Sequence, residues 1–281
     1  MFLRPLLAFL FLVTLASGAP ASFAPAASAR LPGKFIWFNL ATPDLTGAKA
    51  FYSAVFGWQF AAARAGQKFI VIQHHGRDFG AVVVPPDAAQ AKGTRWISLL
   101  SVTDAAATVR KIEAGGGKVL MPPLMVAGYG THALVSDADG ALFGVIQQVA
   151  SDPTDSLEAN EFFWADLLSP DPAKSAGFYR AIAGYDVSNA HLAPGIDRVV
   201  LSAGGIKRAG IYHLPPEMKQ AGWLPYVVVD DVPATLALVT KAGGHVLVAP
   251  NPAVLDGQLA VFADPAGGVL GIVKWTPAPK N

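Results

Sequence analysis

In the segment FFWADLLS, Asp166 follows Trp164 by two residues, so on an extended strand the carboxylate and the indole share one face. A carboxylate held against an indole loses hydration and its pKa rises, which is what a proton carrier near neutrality needs. The alternative for Asp166 is a structural, hydrogen-bonded aspartate. The histidines offer less. His74 and His75 are neighbours near a hairpin tip, so they point to opposite faces or into solvent and cannot converge on one ion. His132 (GYGTHALVSD) and His213 (before Leu214-Pro215-Pro216) read as packed or exposed rather than catalytic, while His245, Glu158 and Glu161 read as solvated. The chain of 281 residues has no cysteine, which excludes disulfides, zinc–thiolate sites, iron–sulfur clusters and a thiol nucleophile. It also has no H-E-x-x-H, G-x-S-x-G, Walker or dinucleotide-binding motif.

These residues must be held by β-rich elements. Phe35 to Ala41 and Phe162 to Leu168 are short apolar strands, each running into Thr-Pro-Asp or Ser-Pro-Asp. Those triplets start helices: Thr42 and Ser169 are suited to cap, Pro43 and Pro170 to the first turn, and Asp44 and Asp171 to the positive end of the dipole. Leu45, Ala48, Phe51, Tyr52, Val55 and Phe56 recur at helical spacing, and Gly57 stops the run. Lys68 to His74 and Phe79 to Val84 read as a hairpin around His75 to Asp78. A second unit follows, with a strand from Trp96 to Val102, a helix from Asp104 to Ala114, a glycine turn, and strands ending at Ala141 to Gln148.

The same grammar is written twice. A constant offset of 127 residues pairs Trp37 with Trp164, Phe51-Tyr52 with Phe178-Tyr179, Trp96 with Trp223, Asp137 with Asp264 and Gly144 with Gly271. One segment, Gly80 to Asp87, slips to match Gly210 to Glu217 at an offset of 130. Two α+β domains are therefore expected at 34–149 and 158–276, joined by the polar linker 150–157, each made of paired βαβββ units.

Residues 1–29 read as a signal peptide followed by an Ala/Pro-rich segment, with Arg4 ahead of the apolar run Leu6 to Leu15 and A-x-A sites after it. The run is too short to span a bilayer as a helix, which takes about 20 apolar residues. An exported protein, periplasmic or secreted, is expected, with no stable membrane insertion after cleavage; the alternative is an uncleaved membrane anchor. With 21 basic and 20 acidic side chains nothing marks a nucleic-acid surface.

The runs TPDLTGAKAFYSAVFGW and SPDPAKSAGFYRAIAGY, the openings VTDAAATV and VDDVPATL, and the endings SDADGALFGVIQ and ADPAGGVLGIVKW resemble the vicinal oxygen chelate superfamily. That superfamily includes glyoxalase I, extradiol dioxygenases and the fosfomycin- and bleomycin-resistance proteins. The resemblance covers essentially all of residues 34 to 276. It implies an open, concave, barrel-like sheet holding a ligand or a divalent metal. It also implies a metal ligand seven residues before each helix-opening aspartate, and a glutamate on the closing strand. Here those positions hold Trp37, Ile97, Trp164, Leu224, Gly144 and Gly271, none of which has a donor side chain.

No metal and no cofactor are therefore expected. Trp37, Asn39 and Ala41 would share one concave face, and Trp164, Asp166 and Leu168 the other, each with an indole wall, one polar group and a glycine floor. The indoles either line such a pocket or simply fill it. The resulting expectation is an exported small-molecule binder, monomer or homodimer, with Trp37, Asn39, Ile97, Gly144, Trp164, Asp166, Leu224 and Gly271 at the ligand. The alternative is an enzyme of the superfamily, either with relocated donors such as His132 and His213 or metal-free through Asp166.

Overall fold

The computed structural model describes residues 30–63, 69–85, 93–155, 158–193, 196–216 and 218–275. Residues 1–29, read from the sequence as a signal peptide and Ala/Pro-rich segment, lie outside them. The first half of the chain forms β1 (Phe35–Ala41), α1 (Leu45–Phe56), β2 (Gln59–Ala62), β3 (Phe69–His74), β4 (Arg77–Val83), β5 (Arg95–Ser101), α2 (Ala105–Ala114), β6 (Lys118–Val126), β7 (Gly130–Ser136) and β8 (Leu142–Gln147). The second half repeats the order as β9 (Phe162–Ser169), α3 (Pro172–Ala183), β10 (Asp186–Ala193), β11 (Ile196–Ala203), β12 (Ile206–His213), β13 (Gly222–Val228), α4 (Val232–Lys241), β14 (His245–Val248), β15 (Leu259–Ala263) and β16 (Val269–Val273).

Each half forms its own eight-stranded sheet, in the orders β2-β3-β4-β1-β5-β8-β7-β6 and β10-β11-β12-β9-β13-β16-β15-β14. The first strands of the two units in a sheet, β1 with β5 and β9 with β13, pair antiparallel at its centre. These are open concave sheets with flanking helices, each built from two βαβββ units.

The helix starts differ in detail from the sequence expectation. Asp44, Asp104, Asp171 and Asp231 are themselves the N-caps, each accepting a backbone N–H from three residues on. Thr42 and Ser169 instead accept from the N–H of Asp44 and Asp171, one step outside the helix, which leaves Pro43 and Pro170 before the first turn. Gly57 and Gly184 end α1 and α3 in the left-handed conformation, both at φ 70°.

A single hydrophobic core joins the helix-bearing faces of both sheets. Phe38 of β1 stacks on Phe162 of β9 at 3.9 Å, and Phe35 meets Trp223 edge-on at 4.8 Å. The matched residues of the 127 offset do their work here. Trp96 Nε1 donates to Tyr52 OH, which donates to Asp264 Oδ2 in the other half, at 2.8 Å in each case. Trp223 Nε1 donates to Tyr179 OH at 2.9 Å, which donates to Asp137 Oδ2 at 3.1 Å. The other oxygen of each aspartate accepts two backbone N–H groups of its own β-turn. Two buried chains of hydrogen bonds, related by the repeat, thus lock each sheet to the other's turn.

Candidate functional site

On the faces turned away from the helices, the predicted residues assemble into two cross-strand rows. Trp37 Nε1 donates to Asn39 Oδ1 at 2.8 Å, and Trp164 Nε1 donates to Asp166 Oδ1 at 2.7 Å. In the first sheet Ile97 stands opposite Asn39, and Leu99 opposite Trp37. In the second, Leu224 stands opposite Asp166, and Tyr226 opposite Trp164. Gly144 and Gly271 extend the rows beyond Leu99 and Tyr226. The glycine floors are covered rather than clear. A Cβ on Gly144 would lie 2.4 Å from Leu99 Cγ, and one on Gly271 2.1 Å from the Tyr226 ring. Trp37 and Trp164 are themselves buried.

The two faces differ in chemistry. Around Trp37 the first is apolar, packed with Val71, Ala81, Ile97, Leu99 and Ile146. Two ionisable groups meet Trp37 there, the Tyr129 ring at 5.1 Å and His132 edge-on at 6.2 Å. Burial outweighs a backbone hydrogen bond at Tyr129 and takes the His132 pKa down to about 4.

The second face holds a polar network. Asp166 and Arg198 are each 1% exposed. The Arg198 guanidinium lies 5.5 Å over the Trp164 ring and 5.8 Å from that of Tyr212, and donates to Tyr212 OH at 3.4 Å. Desolvation raises Asp166 to about 6, opposed by the charge of Arg198 and by hydrogen bonds from Trp164 and Tyr226. Burial, and then the charge of Asp166, push the Tyr226 hydroxyl well above its ordinary value.

Arg198 carries no sequence signal, because it lies where the repeats slip. Asn39 pairs with Ala81 and Asp166 with Gly210, so Gly210 is the counterpart of Ala81 and the offset there is 129, not 130. A one-residue change reverses every side chain. Gly80 faces the helices, against the Phe38 carbonyl, whereas Gly210 lies on the concave face, where a Cβ would meet Asp166 Oδ1 at 2.3 Å and Arg198 Cδ at 2.9 Å. Carried along β3 and β11, this register puts Arg198 where the first sheet has Phe69.

The other candidates scatter. His74 is not a solvated turn residue. It is buried against the second half with Nε2 3.0 Å from the Ala159 carbonyl, and desolvation lowers its pKa. His75, at φ 47°, His213 and His245 are exposed, and Glu161 pairs with Arg77.

A divalent metal of the kind bound by glyoxalases and dioxygenases does not fit the residues present. Tryptophan, isoleucine, leucine and glycine fill the expected ligand positions, and the two glycines have no room for a carboxylate. Asp166 already faces an internal cation, Arg198, and among the described residues no three His, Asp or Glu side chains gather.

Two open sheets of paired βαβββ units, each presenting a concave face with a buried indole, define a small-molecule-binding fold. The chain matches the glyoxalase/bleomycin resistance protein/dioxygenase superfamily over residues 34–145 and a glyoxalase-like domain over residues 163–273. It belongs to this superfamily. Among its relatives is the "Putative glyoxylase CFP32" of Mycobacterium bovis, 31% identical over 87% of this chain and 95% of that protein. Another is the anthracycline biosynthesis protein DauV of a Streptomyces species, 25% identical over 86% of this chain and 94% of that one. Among solved structures, the Mn(II)-bound glyoxalase from Novosphingobium aromaticivorans shares the fold with a TM-score of 0.61, at 17% identity over 88% of this chain and 83% of that one.

Proposed function

We propose that this protein is a metal-independent member of the superfamily that acts on a small, partly apolar carbonyl compound by proton transfer in the concave face of its second domain. The observation that carries this reading is the Asp166–Arg198 pair, a carboxyl whose pKa of about 6 suits a proton carrier, beside a permanent cation. For an α-hydroxycarbonyl substrate, the Asp166 carboxylate takes the proton from the carbon bearing the hydroxyl. The C–H electron pair forms the enediolate, and the developing oxyanion is held by the Arg198 guanidinium. Asp166 then returns the proton to the former carbonyl carbon, while the hydroxyl proton moves to the neighbouring oxygen. The outcome is an isomerisation without an external oxidant or reductant. Because Asp166 is buried, Trp164 must swing aside for a substrate to touch it.

The glyoxylase name of the mycobacterial relative guides the choice of test. Metal-stripped protein is given methylglyoxal and a thiol, and thioester formation is followed by absorbance. Turnover should persist in chelator, rise with pH through about 6, and fall at least about a hundredfold in Asp166→Asn with the fold intact. Turnover that appears only with added divalent ion and survives Asp166→Asn would overturn the proposal.

A second reading is capture without turnover, favoured by the burial of both indoles and the filled apolar face of the first domain. It expects a bound ligand, no product, and weaker capture in Trp164→Ala. Either activity is proposed to operate outside the cytoplasm after loss of the first 29 residues or so. Mass spectrometry of the mature N-terminus tests this, and an intact Met1 in the exported fraction would overturn it.

A further inference from the structure

A cavity of about 690 Å³ lies outside both concave faces, between the two halves of the chain. It is walled by the start of β1, the start of β9, the tips of the β3–β4 and β11–β12 hairpins and the linker strip 151–155. Its volume is that of a drug-sized ligand pocket. We infer that this cleft is a second binding site, for a planar aromatic molecule carrying an anionic group. The inference does not depend on the chemistry proposed for Asp166.

Two features on the cavity wall point to that class of ligand. One is aromatic. Phe35, Phe162, Phe163 and Trp275 line it, and the Phe163 and Trp275 rings sit 5.7 Å apart with 33° between their planes. Flat rings at this spacing offer stacking faces to a flat guest. The other feature is charge. Arg208 is buried at 8% exposure, and its two terminal nitrogens hold Asp155, yet its Nε has no hydrogen-bond partner. Lys34 shares the same carboxylate at 3.1 Å, and burial lowers its pKa. One carboxylate on this wall thus faces two cations, Lys34 and Arg208. On the opposite wall, Arg77 is matched by Glu161, and Asp78 is held by Gln73 and Tyr129. An anionic group on the ligand would balance the second cation. Trp164 also contributes to this wall, while its Nε1 holds Asp166 on the other side. The two sites therefore share one indole.

The test uses 8-anilinonaphthalene-1-sulfonate as an aromatic anion, uncharged N-phenyl-1-naphthylamine as its neutral counterpart, and fluorescence titration of the full chain. The wild type should bind the sulfonate saturably at one site, more tightly than the neutral amine. Arg208→Gln should weaken the sulfonate at least tenfold and leave the amine unchanged. Ile206→Trp, at an exposed apolar position on the cavity wall, should weaken both at least tenfold by filling the cleft. Asp166→Asn should leave sulfonate binding intact, which separates this site from the concave face. Binding that is unchanged in both Arg208→Gln and Ile206→Trp would overturn the inference. So would binding lost on placing aspartate at Leu124 and Met125, the two most exposed of the large apolar residues on the edge strand β6.

Discussion

Replacing His132 with leucine, the residue at the matching position 259, should change how stability depends on pH. The ring is 7% exposed and packs against Trp37, and burial holds its pKa at about 4 against an ordinary 6.5. With the folded pKa depressed, the unfolded chain takes up the proton first. The contribution of neutral His132 is therefore whole above pH 6.5 and is lost as the pH falls through about 4. Worked from those two values, the wild type gives up about 2 kcal/mol at pH 5 and about 3 kcal/mol at pH 4, relative to pH 7.5. Leucine has no proton to take up. At neutral pH the substitution removes a buried Nε2 with no hydrogen-bond partner together with the bond to the Tyr129 backbone, so the two proteins should differ there by only about 1 kcal/mol. Urea denaturation of both proteins at the three pH values gives the difference curve, in which the titration of unaffected groups cancels. Curves that stay parallel to within about 0.5 kcal/mol would refute the reasoning, because they would mean a ring that keeps its hydration in the fold.

Asp166 should act with the opposite sign. Its folded pKa is raised from 3.8 to about 6, so its contribution falls by about 3 kcal/mol as the pH rises through that window, and the stability of wild type relative to Asp166→Asn should decline by that amount on titration. Tyr52→Phe and Tyr179→Phe each break a buried interdomain chain and leave a Trp Nε1 and an Asp oxygen short of a partner. Each should cost about 1–3 kcal/mol, read as a lower urea midpoint, and a midpoint equal to wild type would show that the bonds are dispensable. Gly144→Ala should destabilise by about 1–3 kcal/mol through overpacking against Leu99, and Gly144→Glu, which restores a carboxylate at the position expected for the closing-strand ligand, should fold poorly and gain no metal by elemental analysis.

Much of this architecture is legible in the sequence because the repeat fixes which residues must be equivalent. The 127 offset correctly matches Trp96 with Trp223, Tyr52 with Tyr179 and Asp137 with Asp264, which form the two interdomain chains, though spacing along one chain does not show that they reach across to the other half. The concave residues were also legible, since strand alternation places Trp37 with Asn39 and Trp164 with Asp166 on one face. What lay on top of the glycines was not, because Leu99 and Tyr226 are cross-strand neighbours set by register between units. Arg198 was hidden by the one-residue error at Gly80 and Gly210, which turns each glycine to the other face. The interdomain cleft arises only from the packing of two sheets and a linker, so no local pattern encodes it.

The way the two copies differ argues for where function resides. In the shared core the replacements stay apolar or aromatic, as with Phe38 and Ala165 or Trp58 and Tyr185, and several residues are unchanged, as with Trp96 and Trp223 or Phe51-Tyr52 and Phe178-Tyr179. On the concave faces the register matches Asn39 with Asp166, Phe69 with Arg198, Val83 with Tyr212, Leu99 with Tyr226 and His132 with Leu259. Four of these five pairs place the charged or phenolic residue in the second domain, and those four lie together around Trp164. The first domain packs mostly apolar residues around Trp37, with no buried charge pair beside it. Burying an aspartate, an arginine and two tyrosines costs desolvation that leucine, valine and phenylalanine avoid. A polar set that is costly to bury, present in one copy and absent from its duplicate on the same backbone, is what a working site beside a structural twin should look like.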